Sequence, residues 1–182
     1  MQSSLVLPEG NQQTSIFSRY IKYKCLIHSL VFSRLDYCSS ALYGAPKKVI
    51  KKFDSIINYA MKIVMKKNRR EGIIKELTEY GWLQAEKRII HKIVNLVYSI
   101  LTTNEPEPLA GFLVSKRPLP GTQTRSSSDT LLLQTYATST TFGDRGFRHI
   151  GPSLWNEIPL HVRQAKTAAA FREGTVNHLL CL

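Results

Sequence analysis

The sequence predicts a mainly α protein: a helical bundle over residues 15–114, followed by a small, mostly helical C-terminal extension with one short strand. Three observations predict it. Apolar residues recur every three or four positions through three long segments. Gly and Pro cluster between those segments. Apolar residues make up 43% of the 182, enough for a chain of this size to bury about 70% of its unfolded surface.

Residues 1–14 are polar, carry Pro8, Gly10 and Asn11, and read as a disordered lead-in. A first helix starts at Ser15 as N-cap and runs to about Tyr43, where Gly44-Ala45-Pro46 stops it. Ile16, Tyr20, Ile27, Leu30, Val31 and Leu35 give it an apolar side, with Leu26, Phe17 and Phe32 widening the stripe, so it is expected at the centre of the core. The second helix, Lys47 to Lys67, has the clearest pattern. Ile50, Phe53, Ile57, Ala60, Met61 and Val64 fall within an arc of about 100°. Lys48, Lys51, Lys52, Lys62 and Lys66 fall on the opposite side, forming a stripe roughly 30 Å long. A short helix over Ile73 to Tyr80 ends at Gly81, a natural C′ glycine. Trp82 and Leu83 read as a packing anchor.

The third long helix spans Gln84 to Thr103, with Ile89, Ile90, Ile93, Val94, Val97, Ile100 and Leu101 inward. Lys87, Arg88, His91 and Lys92 are expected outward, and Pro106 and Pro108 close the helix. Residues 115–130, with Pro118, Pro120, Gly121 and Thr124 to Ser128, form a flexible linker between two subdomains. Beyond it lie a strand over Leu131 to Thr135, a short helix capped by Asp144, and a separate turn opened by Gly151-Pro152 that carries Leu154 and Trp155. Pro159 stops that turn. A last helix, Thr167 to Leu180, packs through Ala170, Phe171, Val176, Leu179 and Leu180.

Charge narrows the function. Lys plus Arg number 25 against 13 Asp plus Glu, for a net +12. Between Lys47 and Lys92 thirteen basic residues face five acids, a net +8. Such a concentration favours a polyanionic partner, nucleic acid foremost. The site residues selected on this ground are Lys48, Lys51, Lys52, Lys62, Lys66, Lys67, Arg69, Arg70 and Arg88. A charge stripe can equally be a solvated helix face. The three cysteines, Cys25, Cys38 and Cys181, have no metal-ligand spacing, and Cys25 and Cys38 read as small core residues. His28, His91, His149, His161 and His178 also lack ligand spacing, and no phosphate-binding glycine loop occurs. No signal peptide or membrane span is visible, so the chain is expected to be intracellular, nuclear or cytoplasmic, and not secreted.

Four strings carry a resemblance. Residues 30–44 include Ser33-Arg34-Leu35-Asp36-Tyr37-Cys38 and end Ala41-Leu42-Tyr43-Gly44. Ile74-Lys75-Glu76-Leu77 leads to Gly81-Trp82-Leu83 and Lys87-Arg88-Ile89. Arg125-Ser126-Ser127-Ser128 follows. Phe142-Gly143-Asp144-Arg145-Gly146-Phe147 precedes Gly151-Pro152-Ser153-Leu154-Trp155-Asn156-Glu157-Ile158-Pro159. In this order they resemble the region after the palm of jockey-like non-LTR (LINE-type) retrotransposon reverse transcriptases, over roughly residues 25–175. Gln84-Ala85 stands where that family has Pro-Val, and Gly146 where Ala is usual, an exchange that would weaken a short helix by up to ~1 kcal/mol.

The resemblance implies a thumb-like helical domain and a C-terminal extension, holding template–primer nucleic acid, duplex or RNA–DNA hybrid, through backbone contacts. It implies an RNA-directed DNA polymerase as the parent enzyme, which would use magnesium held by paired palm carboxylates. No Asp-Asp pair occurs here, and Asp36, Asp54, Asp129 and Asp144 are isolated. The expectation is therefore a non-catalytic C-terminal fragment without a cofactor of its own, with the missing palm domain as a further partner. The alternatives are a helical protein-interaction module, its apolar surface bared where a palm would dock, or a non-functional relic of a retrotransposon.

Overall fold

The computed structural model describes residues 21–23, 25–116 and 131–182. Ser15, the lead-in, most of the linker, the Arg125–Ser128 string and Asp129 lie outside them. The mainly α expectation holds: helices dominate, and the described residues contain no strand.

Helical residues from Ile21 pass through a π turn, His28–Phe32, into α1, Ser33–Asp36. The helix stops there, seven residues short of the predicted end. Tyr37 is extended and Cys38 adopts the left-handed region at φ 52°. A 3-10 turn, Ser39–Leu42, follows. The early stop changes what is buried. Among the described residues of this helix only Ile27 and Phe32 are buried, while Ile21, Leu26, Leu30 and Tyr37 are exposed. Cys25, Cys38 and Cys181 are exposed as well, not core residues.

Helix α2, Lys47–Met65, follows the predicted bounds closely. Pro46 precedes it and Lys66, at φ 52°, ends it. Helix α3, Ile74–Glu79, ends at Gly81, whose φ of +69° lies in the left-handed region that favours glycine. Trp82 then turns inward and meets the Phe32 ring edge-on, with centroids 4.9 Å apart. Helix α4, Ala85–Thr103, begins where Asp54 of α2 accepts a hydrogen bond from the Ala85 amide at 2.8 Å. The carboxylate thus satisfies one orphan N–H of a helix start from a neighbouring helix. Helix α5, Glu107–Ala110, is one short turn.

The C-terminal part departs from the predicted pieces. Leu133 forms a single antiparallel bridge with Ser115, not a strand. Asn156 holds it there: Nδ2 donates to the Leu133 carbonyl at 2.8 Å, and the Leu133 amide donates to Oδ1 at 2.9 Å. Helix α6, Phe147–Glu157, runs unbroken through Gly151-Pro152, so the predicted short helix and the separate turn after it are one helix. Asp144 does not cap it. Asp144 accepts the Thr138 hydroxyl instead, and Gly146 is the N-cap. Glycine is tolerated there, so the expected weakening of a helix interior does not apply. Gly151 is where α6 crosses α4, since a Cβ would lie 3.3 Å from both Val97 and Phe147. Helix α7, Leu160–Arg163, leads to α8, Ala168–Cys181, which Thr167 caps by accepting the Ala170 amide at 3.2 Å. Ala170 is exposed; Phe171, Thr175 and Leu179 form the buried side of α8.

Two apolar clusters result. One gathers Ile27, Phe32, Ile57, Met61, Val64, Leu77 and Trp82 around α2. The other gathers the inner face of α4 with Leu133, Leu154, Trp155, Val162 and Phe171. Helix α4 contacts α2 at one side and α6 and α8 at the other, so it belongs to both sets of packing. No helix among the described residues is long and apolar enough to cross a membrane.

Candidate nucleic-acid interface

Helix α2 buries Ile57, Ala60, Met61 and Val64, leaving its opposite side to solvent. Lys48, Lys51, Lys52 and Lys66 are exposed there, and Lys62 is half-buried at the stripe's edge. Among the described residues no carboxylate pairs with any of these five. Lys62 is nonetheless engaged: its Nζ donates to the Arg69 carbonyl at 2.6 Å, tying the chain beyond α2 back onto the helix. Arg69 and Arg70 are exposed on that returning turn, which Glu71 braces by accepting the Asn68 amide at 3.0 Å.

The first turn of α2 contains no acid, and Lys47, Lys48, Lys51 and Lys52 crowd its first two turns. The first turn is the positive end of the helix dipole, where a cation such as Lys47 or Lys48 is unfavourable by roughly 0.3–1 kcal/mol, an effect that fades beyond that turn. Local helix stability therefore does not account for these lysines.

Two of the predicted site residues have other work. Lys67 pairs with Glu76 and donates to the Gly72 carbonyl at 3.3 Å, closing the loop between α2 and α3. The Lys67 hydrogen bond, above all, holds the Glu76 carboxyl below the usual range. Arg88 does not point outward. Its Nε and Nη2 donate to the two oxygens of Asp36 at 2.5 and 2.8 Å, and its guanidinium lies 4.1 Å from the Phe32 ring centroid. Lys92 adds a contact to Asp36 at 3.1 Å. Burial raises the Asp36 pKa, but Arg88 and then Lys92 outweigh it and hold the carboxyl below its ordinary value. A guanidinium forked onto a carboxylate in this way is committed to the fold and is a poor phosphate ligand.

His91, expected outward with Arg88, turns inward too. Burial is the main cause that brings its pKa down to about 4. The Arg172 backbone carbonyl opposes that shift, the Arg88 and Lys92 charges add to it, and Asp36 again opposes it.

Asp36 is held by Arg88, Asp54 by the Ala85 amide and Asp144 by Thr138. Among the described residues no three His, Cys, Asp or Glu side chains gather closely enough to hold a metal ion. Trp82 and Trp155 are buried, and the Trp155 indole donates to the Leu131 carbonyl at 2.8 Å, so neither is free to stack on a base.

One exposed residue escaped the charge-based reading. Tyr59 lies inside the lysine arc, 64% exposed. Its spacing of seven from Lys52 and from Lys66 was the available signal.

Three of the four strings that prompted the family resemblance meet in space, the Arg125–Ser128 string lying outside the described residues. Asp36 of the first pairs with Arg88 of the second, and Phe32 packs on Trp82. At Gly44, with φ +69°, a Cβ would lie 3.0 Å from the Arg145 side chain, so the first string packs closely on the fourth. Comparison of the chain with family models, curated proteins and solved structures found no match.

Proposed function

We propose that this chain is a non-catalytic nucleic-acid-holding domain, akin to the region after the palm of a LINE-type reverse transcriptase. In this reading it grips template–primer nucleic acid by its phosphates through the exposed face of α2. The observation that carries it is the row of exposed lysines, Lys48, Lys51, Lys52 and Lys66, without acidic partners among the described residues. The placement of Lys48, next to Lys47, at the positive end of the helix dipole supports it, because a bound polyanion would reverse the sign of that local penalty. Arg69 and Arg70 extend the same surface, whereas Lys67 and Arg88 serve the fold.

Backbone binding of this kind releases counterions, so affinity falls with salt. With about four phosphates engaged, binding to a duplex or hybrid drops about a hundredfold between roughly 50 and 200 mM salt. Replacing Lys48, Lys51, Lys52 and Lys66 together by Gln lowers affinity for every sequence alike and flattens the salt slope. Fluorescence anisotropy against labelled hybrid measures both. Salt-independent binding, or a quadruple variant that binds like the parent, would remove this reading.

A further inference from the structure

The lysine face of α2 is not purely cationic. Tyr59 sits in its middle, in the row Lys48–Lys52–Ser55–Tyr59–Lys62–Lys66, whose members recur at alternating steps of four and three. Ile56 and Ile63 border that row, 44% and 51% exposed. The row is about 27 Å long, with a pair of lysines at each end and the aromatic ring between them.

A duplex gives such a surface little to do. Its bases are stacked inside, and a rod of lysines laid on its backbone meets phosphates only. A tyrosine π-face with flanking isoleucines gains nothing from those phosphates. A single strand differs, because its bases can turn out and stack on an aromatic ring while the phosphates reach the neighbouring ammonium groups. Alternation of cations with an exposed aromatic is the arrangement that this mode of binding needs.

We propose that the α2 face binds single-stranded nucleic acid in preference to duplex, with phosphates on Lys48, Lys52 and Lys66 and one unstacked base on Tyr59. The inference rests on the reading above, in which this face takes a polynucleotide. It narrows the ligand to the unpaired part of a template–primer.

The test uses the full chain with a labelled oligothymidylate of roughly twenty nucleotides and a duplex of equal length, by fluorescence anisotropy. The expected result is tighter binding of the single strand. Tyr59→Ala weakens that binding about tenfold, Tyr59→Phe keeps it, and duplex binding changes little in either variant. Circular dichroism should show all three chains equally helical, since Tyr59 is exposed. Duplex bound as tightly as single strand, or a Tyr59→Ala chain that holds oligothymidylate like the parent, overturns this inference and leaves phosphate binding by the lysines standing. Failure of both nucleic acids to bind, or adhesion to phosphatidylserine vesicles alone, overturns both readings together.

Discussion

His91 shows how one side chain couples this fold to pH. Folded, it is held neutral with a pKa near 4; unfolded, it returns to about 6.5. Between those values the unfolded chain binds the extra proton, so acid favours unfolding. The contribution is complete above the unfolded value and is lost as pH falls toward the folded one, amounting to up to about 3 kcal/mol. Asp36 behaves in the same direction at lower pH, because its folded pKa is also depressed, below 3.8. Urea titrations from about pH 7 to about pH 4.5 should therefore show a steady loss of stability that His91→Leu largely abolishes. Equal slopes in parent and variant would show that His91 is not the group responsible. Neither role could be read from the helical pattern around Arg88, His91 and Lys92, which points all three to solvent. Their true surroundings come from α1 and α8, far away in the chain.

Among the elements, α6 is the one whose sequence misled most. A proline at position six of an α-helix removes a donor, and Gly-Pro usually marks a turn. Yet Gly151 lets α6 approach Val97 of α4, and the buried Ile150, Leu154 and Trp155 more than offset the missing bond. Asn156 on the same helix organises the segment after the linker. Asn156→Ala would leave the buried Leu133 amide and carbonyl without that partner, lowering stability by about 2 kcal/mol. A thermal melt of that variant, compared with the exposed neighbour change Glu157→Ala, reads the difference. Melts that coincide would mean the clamp contributes nothing. By contrast α2, α3 and α4 were legible to within a residue or two at their ends, because each has a regular apolar period and α3 and α4 have breakers just beyond them, Gly81 for α3 and Pro106 and Pro108 for α4. The first helix was not: nothing local marks Cys38 as a left-handed residue, and its apolar run extends beyond the surface that the fold covers.

Taken together, the two apolar clusters meet at α4, and that predicts how the chain unfolds. Trp82 reports on the cluster around α2 and Trp155 on the other, and they are the only tryptophans. Single-tryptophan variants, Trp82→Phe and Trp155→Phe, should give fluorescence transitions at the same urea concentration, because neither cluster keeps its packing without α4. Transitions well separated in urea would instead show two independently folding parts. Helical class, the amphipathic α2 with its lysines on one side, and the charge excess around it all follow from local order along the chain. A 3.6-residue period and a count of charges need no partner to have meaning. Which cations remain available was settled only by tertiary packing. Arg88 looks like Lys48 in the linear pattern, but Asp36 reaches it across fifty-two residues and neutralises it. Burial and ion pairing are properties of what a residue meets, and residues distant in sequence decide that meeting.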